Sequence, residues 1–254
     1  MADHYGFEAG TSFGRELDSC GKLGIGPTAA VAVNGNYVYA VGSGQLRIVD
    51  AARPDTPIVC GTLDGLGHVR QIAVRGHLAA VTSRQCGLFL IDVSDPYKPS
   101  LLSHYDTLEF ATGIDLTDNV AFVACRHYGV ELVDITDPAR PAYLGSVLAG
   151  EAQSVAVQGR YVYAGIWITR ELVVIDAGDP RRPTVVATMP LDGFGDGVYV
   201  DGDYCYVATG HHSAKLTNRL KYEQAAFVTC EMLEEGYGGR HGLARLRGAG
   251  RDEH

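Results

Sequence analysis

The chain has 254 residues, 46% hydrophobic and 20% charged, ordinary values for a soluble globular protein. Thirty Asp and Glu against 21 Lys and Arg leave a net charge of −9, which repels phosphates and argues against nucleic acid as a partner. No stretch reaches the ~20 apolar residues of a membrane helix, and the six cysteines show no CxxC or close pair, against a zinc module or a small disulfide framework.

The N-terminus, Met1 to Glu8, has neither the basic start nor the apolar stretch of a secretory signal. That points to the cytoplasm, or to the cell surface if the N-terminus is incomplete. Residues 1–15 read as a tail. Residues 16–23 read as an outer strand without a blade of its own, since Cys20-Gly21-Lys22-Leu23 precedes the first inner strand as Cys60-Gly61-Thr62-Leu63 precedes the second.

From about residue 30 the chain repeats. Short apolar strands come first, as in Val31-Ala32-Val33, Ile72-Ala73-Val74 and Val155-Ala156-Val157. Tight turns follow, such as Asn34-Gly35-Asn36 and Gln158-Gly159-Arg160, whose residue types tolerate the positive φ of a hairpin. Second strands alternate, as in Tyr37-Val38-Tyr39 and Tyr161-Val162-Tyr163. Third strands are apolar runs closing on Asp50, Asp92, Asp134 and Asp176, each 42 residues after the last. Proline turns carry Pro54, Pro96, Pro138 and Pro180, the last three as Asp-Pro, and fourth strands such as Ser100–Ser103 and Thr184–Ala187 end the unit. A period of about 40 residues with four strands is a propeller blade. Four carboxylates at one position of such a repeat are turn caps rather than catalytic groups.

The strand-three motif followed by Ser/Thr-Asp-Pro, as in Leu90-Ile91-Asp92-Val93-Ser94-Asp95-Pro96, resembles the LVIVD repeat, a β-propeller repeat of bacterial and archaeal proteins, many at the cell surface. The resemblance covers about residues 30 to 210 and implies a fold rather than an activity. No catalytic residue carries over from it.

A fifth unit opens at Gly197, and then the rhythm breaks. Residues 211–240 read as an insertion containing a helix-compatible stretch, Glu223 to Leu233, with a delayed third strand starting near His241-Gly242-Leu243. The expected architecture is therefore all-β: a propeller of four-stranded blades over residues 16–247 as one domain, with a frayed tail at 248–254. Five blades are expected, closed by the N-terminal outer strand, with the fifth incomplete. A truncated chain of a larger propeller is the competing architecture.

Blade topology puts the repetitive hairpins and Asp-Pro turns on one rim, and the varied loops between strands two and three and those entering strand one on the other. Varied loops on a rigid scaffold are where binding residues collect. They supply Arg70, Arg84, Arg126 and His127, then Trp167, Arg170 and Asp196, with Glu109 and Glu151 nearby. Arginines there suit a carboxylate or phosphate, and Trp167 suits a sugar or an aromatic ring. His211, His212 and His241, with Asp196, have the chemistry of a divalent-metal site; a divalent ion is the one cofactor these residues would suit.

Two functions are open at this point. The first is a non-catalytic binding scaffold that takes a small anionic or carbohydrate ligand, or a protein, on the varied rim. The second is a metal- or arginine-assisted hydrolase or lyase at the central opening. The oligomeric state is undetermined by sequence.

Overall fold

The computed structural model describes residues 23–210 and 224–229. All regular structure within them is β, and no described helix is long and apolar enough to cross a membrane. The first blade comprises β1 (Ala30–Asn34), β2 (Tyr37–Gly42), β3 (Gln45–Asp50) and β4 (Ile58–Leu63). The second comprises β5 (Val69–Arg75), β6 (Leu78–Ser83), β7 (Gly87–Asp92) and β8 (Ser100–Tyr105). The third has β9 (Ile114–Leu116), β10 (Val120–Ala124), β11 (Val130–Asp134) and β12 (Ala142–Val147). The fourth has β13 (Ala152–Gln158), β14 (Tyr161–Ile166), β15 (Glu171–Asp176) and β16 (Thr184–Pro190). The fifth shows three strands, β17 (Phe194–Asp201), β18 (Tyr204–Gly210) and β19 (Gln224–Thr229).

Each sheet is antiparallel with its strands paired in chain order. The inner strands β1, β5, β9, β13 and β17 lie side by side in that order, so successive blades pack face to face. One apolar cluster spans each junction. Tyr39 and Ile48 meet Ile72 and Val81 between the first two blades, and Ala80 and Leu90 meet Ile114 and Val123 at the next. Phe122 and Leu132 meet Val155 and Ala164, and Tyr163 and Val174 meet Val198 and Val207. The stability of such an array resides in these neighbour interfaces rather than in one shared core.

Buried hydroxyls pin the same junctions. Thr82 Oγ1 donates to the Thr112 carbonyl at 3.1 Å, Thr112 Oγ1 to the Ala152 carbonyl at 3.1 Å, and Ser154 Oγ to the Gly195 carbonyl at 3.2 Å. On the hairpin rim, Asn34 Nδ2 donates to the Gly76 carbonyl at 2.8 Å and Gln158 Nε2 to the Gly202 carbonyl at 2.6 Å.

A second regularity was not visible in the strand pattern. The pairing of strands three and four shifts once in each of the first four blades, leaving Cys60, Leu102, Leu144 and Val186 as extra residues 42 apart. The next residue is always small: Gly61, Ser103, Gly145 or Ala187. At three of these positions the Asp-Pro turn of the following blade packs against the small residue. Ser103 Oγ donates to the Pro138 carbonyl at 2.6 Å, and an ideal Cβ on Gly61 or Gly145 would lie 2.1 Å from the Pro96 oxygen or 2.6 Å from the Pro180 oxygen. The turns therefore latch each blade to its predecessor.

The repeated aspartates cap those turns as expected. Asp50, Asp92, Asp134 and Asp176 each accept the backbone N–H two residues on, at 2.8–2.9 Å. Backbone donors hold the Asp92 and Asp134 carboxyls below their ordinary value of 3.8, and the guanidiniums of Arg140, Arg160 and Arg182 do the same for Asp137, Asp176 and Asp179. A lowered folded-state value stabilises the fold above the unfolded-state value, and that contribution is lost as pH falls through the folded one. We expect the melting temperature to hold from neutrality to about pH 4 and to fall below it. Substituting Asp92→Asn and Asp134→Asn together should flatten that acid limb in thermal melts. An acid limb of unchanged steepness would show that these turns do not cause it.

Two expectations at the fifth blade are corrected. The stretch read as helix-compatible contains β19, a strand antiparallel to β18 with Thr229 opposite Tyr204. Thr229 thus occupies the place held by Asp50 opposite Tyr37, and the third strand of this blade arrives at 224–229 rather than after His241. Ala and Glu favour helix locally, but pairing with the open edge of β18 outweighs that small preference. The expected closing strand at 16–22, the ends of the insertion and the tail at 248–254 lie outside the described residues; Leu23, the last residue of that strand, is outside regular structure.

Candidate functional site

The varied rim gathers its side chains in three places. The first lies where the second, third and fourth blades meet. Arg126 is held in a left-handed conformation (φ 40°) in the loop after β10, and its side chain reaches across the junction onto Glu151. Nη2 and Nε lie 2.6 Å and 3.0 Å from Glu151 Oε1. Glu151 is buried, and His127 Nδ1 stands 3.8 Å from its second oxygen. The His127 backbone N–H donates to Glu109 Oε2 at 2.8 Å. Phe110 meets two cations: the guanidinium carbons of Arg84 and Arg126 are 5.8 Å and 6.0 Å from its ring centre.

A buried carboxylate supports this corner from below. Glu131 accepts from the Tyr105 hydroxyl at 2.7 Å and from the Leu108 N–H at 2.9 Å, with the Cys125 thiol 3.5 Å away. It thereby anchors the loop that presents Leu108 and Phe110. Burial, with Glu131 alongside, raises the pKa of both Tyr105 and Cys125, so both are neutral at physiological pH. Glu131 had a sequence signal: it is the one charge in the apolar run Val130-Glu131-Leu132-Val133.

The second place joins the fourth and fifth blades. Arg170 (φ 56°) lies 4.9 Å from the Phe194 ring centre, and the Trp167 ring is 5.0 Å from the same ring. Phe194 packs both side chains against the start of β17. The third place is a cleft of about 480 Å³ between the first two blades, lined by Ser43, Gly44, His68 and Arg70. Arg70 is exposed there and makes no hydrogen bond or ion pair with another described residue.

Of the residues named from sequence, Arg84, Arg126 and His127 come together, Trp167 and Arg170 form a separate pair, and Arg70 stands alone. Arg70 and Asp196 nonetheless share a structural position with Gln153. Each is the extra residue of a bulge at the rim end of an inner strand, in the second, fifth and fourth blades. Bulges there re-aim side chains at the mouth of the propeller axis. His211, His212 and His241 lie outside the described residues. Among the described residues no three His, Cys, Asp or Glu side chains group closely enough to hold a metal ion.

Sequence reasoning looked for polar rim residues and missed apolar ones. Leu108, Phe110, Tyr128, Leu148 and Ile168 are all exposed in loops of this rim. The signal was present as large apolar residues in segments where a turn needs none.

The chain matches the family model of the LVIVD repeat over residues 25–64, 66–107, 110–148, 149–189 and 192–213. No curated protein matches it. Among solved structures it is similar to a functionally unknown protein from Desulfotomaculum acetoxidans DSM 771 (TM-score 0.64, 12% identity, covering 78% of this chain and 69% of that one). It is also similar to U3-55K (TM-score 0.61, 15% identity, covering 80% of this chain and 67% of that one), and to the RRP9 WD40 repeats (TM-score 0.58, 14% identity, covering 80% and 67%). At such identities the likeness is one of fold alone.

Proposed function

We propose, given that the chain belongs to the LVIVD-repeat family, that it is a non-catalytic scaffold whose varied rim recognises a protein partner. The observation that carries this reading is the set of exposed side chains Leu108, Phe110, Tyr128, Leu148 and Ile168 in the loops of that rim, with Arg84 and Arg126 over Phe110. Interfaces are enriched in aromatic residues and Arg, with apolar anchors ringed by polar groups. Large apolar side chains gathered on one rim of a soluble scaffold mark an interaction surface. Three of the four arginines expected to grip a small anion are already engaged: Arg126 by Glu151, and Arg84 and Arg170 over phenylalanine rings. Rigid strands beneath the loops limit the ordering cost of binding.

The test is site-specific photocrosslinking in extract of the source organism. A crosslinking residue at Leu148 or Tyr128 should give a discrete protein adduct that Phe110→Asp abolishes. The same residue at Arg160, on the hairpin rim, should give none. Equal adducts from both rims would end this reading. So would a rise in melting temperature with small carboxylates or phosphates that Arg70→Ala removes, which would move the function to the cleft between the first two blades.

A further inference from the structure

Four of the blade junctions are built alike, and the two ends of the array carry the unmatched halves of a fifth. Facing the following blade, each blade presents residues in register with Tyr39: Ala80, Phe122, Tyr163 and Tyr206. Facing the preceding blade, each presents residues in register with Val31: Ile72, Ile114, Val155 and Val198. At the interior junctions both sets are covered: Tyr39 and Tyr163 are 2% exposed, and Ile72 and Val155 are 5% and 2% exposed. At the ends no described residue covers them in that way. Val31 and Val33 on the first blade are 59% and 66% exposed, and Tyr199 and Tyr206 on the fifth are 64% and 37% exposed.

Scattered apolar residues on a surface need no explanation. Here, however, the exposed residues occupy the positions that every interior blade buries, and β17 does not lie alongside β1 as the other inner strands lie alongside their neighbours. The aromatic face of the fifth blade is also the kind of face that the aliphatic face of the first blade is built to meet, since Phe122 packs with Val155 and Tyr163 with Val198. We infer that these end faces dock on one another between copies of this chain, the fifth blade of one copy taking the first blade of the next as an additional interior junction. Such a head-to-tail contact is heterologous, so it builds either a closed ring of chains or an open series. The varied rim is not part of it.

The register makes a finer statement. At two interior junctions a side-chain amide at the end of the inner strand, Asn34 or Gln158, donates to the hairpin glycine carbonyl of the next blade, Gly76 or Gly202. In the fifth blade that position, opposite Tyr204, is Asp201, and the carbonyl it would meet across the new junction belongs to Gly35 of the next copy. An ionised carboxylate cannot donate to it. Asp201→Asn restores the donor, and the net gain of one hydrogen bond corresponds to about fivefold tighter association.

The test is light scattering and analytical ultracentrifugation of the full chain over a range of concentrations. Wild type is expected to self-associate. Val31→Glu with Val33→Glu, and separately Tyr199→Glu with Tyr206→Glu, should each be monomeric while retaining β circular dichroism and a cooperative melt. Mixing the two variants should yield a one-to-one heterodimer, because each keeps the face the other has lost. If either glutamate pair unfolds the chain, Val31→Thr with Val33→Thr and Tyr199→Thr with Tyr206→Thr replace them, with the same pattern expected. A monomeric wild type at several hundred micromolar would overturn the inference and assign the end faces to other residues of the chain or to further blades. Oligomers that survive both variants, a mixture that stays monomeric, or no tightening by Asp201→Asn would overturn it equally.

Discussion

Gly129→Ala is expected to lower stability by about 3 kcal/mol or more, and so to depress the melting temperature by roughly 6–12 °C in a domain of this size. Gly129 directly precedes the third strand of its blade at φ +75°, and an added Cβ would sit 2.2 Å from the Val147 oxygen and 2.5 Å from the Ala149 nitrogen. Both neighbours are backbone, so neither can rotate aside. Two costs therefore add: the left-handed conformation, about 1–2 kcal/mol for a residue with a Cβ, and overpacking of about 1–3 kcal/mol. Gly87 is its equivalent 42 residues earlier, at φ +78° with the Tyr105 oxygen 2.3 Å from the same ideal position, so Gly87→Ala should behave alike. Gly159 separates the two costs. It has φ +60° and nothing within 4 Å of its ideal Cβ, so Gly159→Ala should cost only the conformational part, about 1 kcal/mol. Equal losses at Gly129 and Gly159 in denaturant titrations would mean that the close approach at Gly129 relaxes freely.

Arg126→Ala is expected to cost about 3 kcal/mol, because it leaves the Glu151 carboxylate buried without its main partner. The two side chains are 22% and 3% exposed, so solvent can reach the pair only from the arginine side. His127 at 3.8 Å is too distant and too exposed to replace a guanidinium with two contacts. Removing both partners should be less harmful than the single loss would suggest. Arg126→Ala with Glu151→Ala should be no less stable than Arg126→Ala alone, since no charge is then stranded. A double-mutant cycle measured by thermal and urea unfolding checks this. Strictly additive losses would show that solvent screens the pair fully and that its role is confined to placing Phe110 on the rim.

Much of the fold was legible in the residues because its determinants are local and repeated. Period-2 alternation, turns rich in Gly, Asn and Asp, and the Asp-Pro punctuation each act within a few residues. The strands fall where Tyr37-Val38-Tyr39 and its counterparts placed them. The aspartates cap turns as their periodic position required. The varied rim was also legible as a place, since blade connectivity alone sorts the loops between two rims.

Its contents were less so. Arg84 and Arg126 were named for an anion, yet they meet over Phe110, a residue whose importance depends on which loops of neighbouring blades approach each other. β19 was hidden because its local composition favours helix while its partner edge is remote in sequence. The small residues after each bulge were readable as letters at a 42-residue spacing, but their reason, an Asp-Pro turn from the next blade pressing on the strand, lies in packing.

By itself, then, the sequence determined the repeating unit, its strand order, its turns and the family to which it belongs, because each depends on backbone preferences and side-chain alternation over short spans. Only the tertiary structure decided which rim side chains meet, which glycines admit no Cβ, and that Val31 and Tyr206 are exposed where their counterparts are buried. Those properties depend on which blade lies beside which. A repeat motif is the same in every copy, so it cannot state which of its faces has a neighbour.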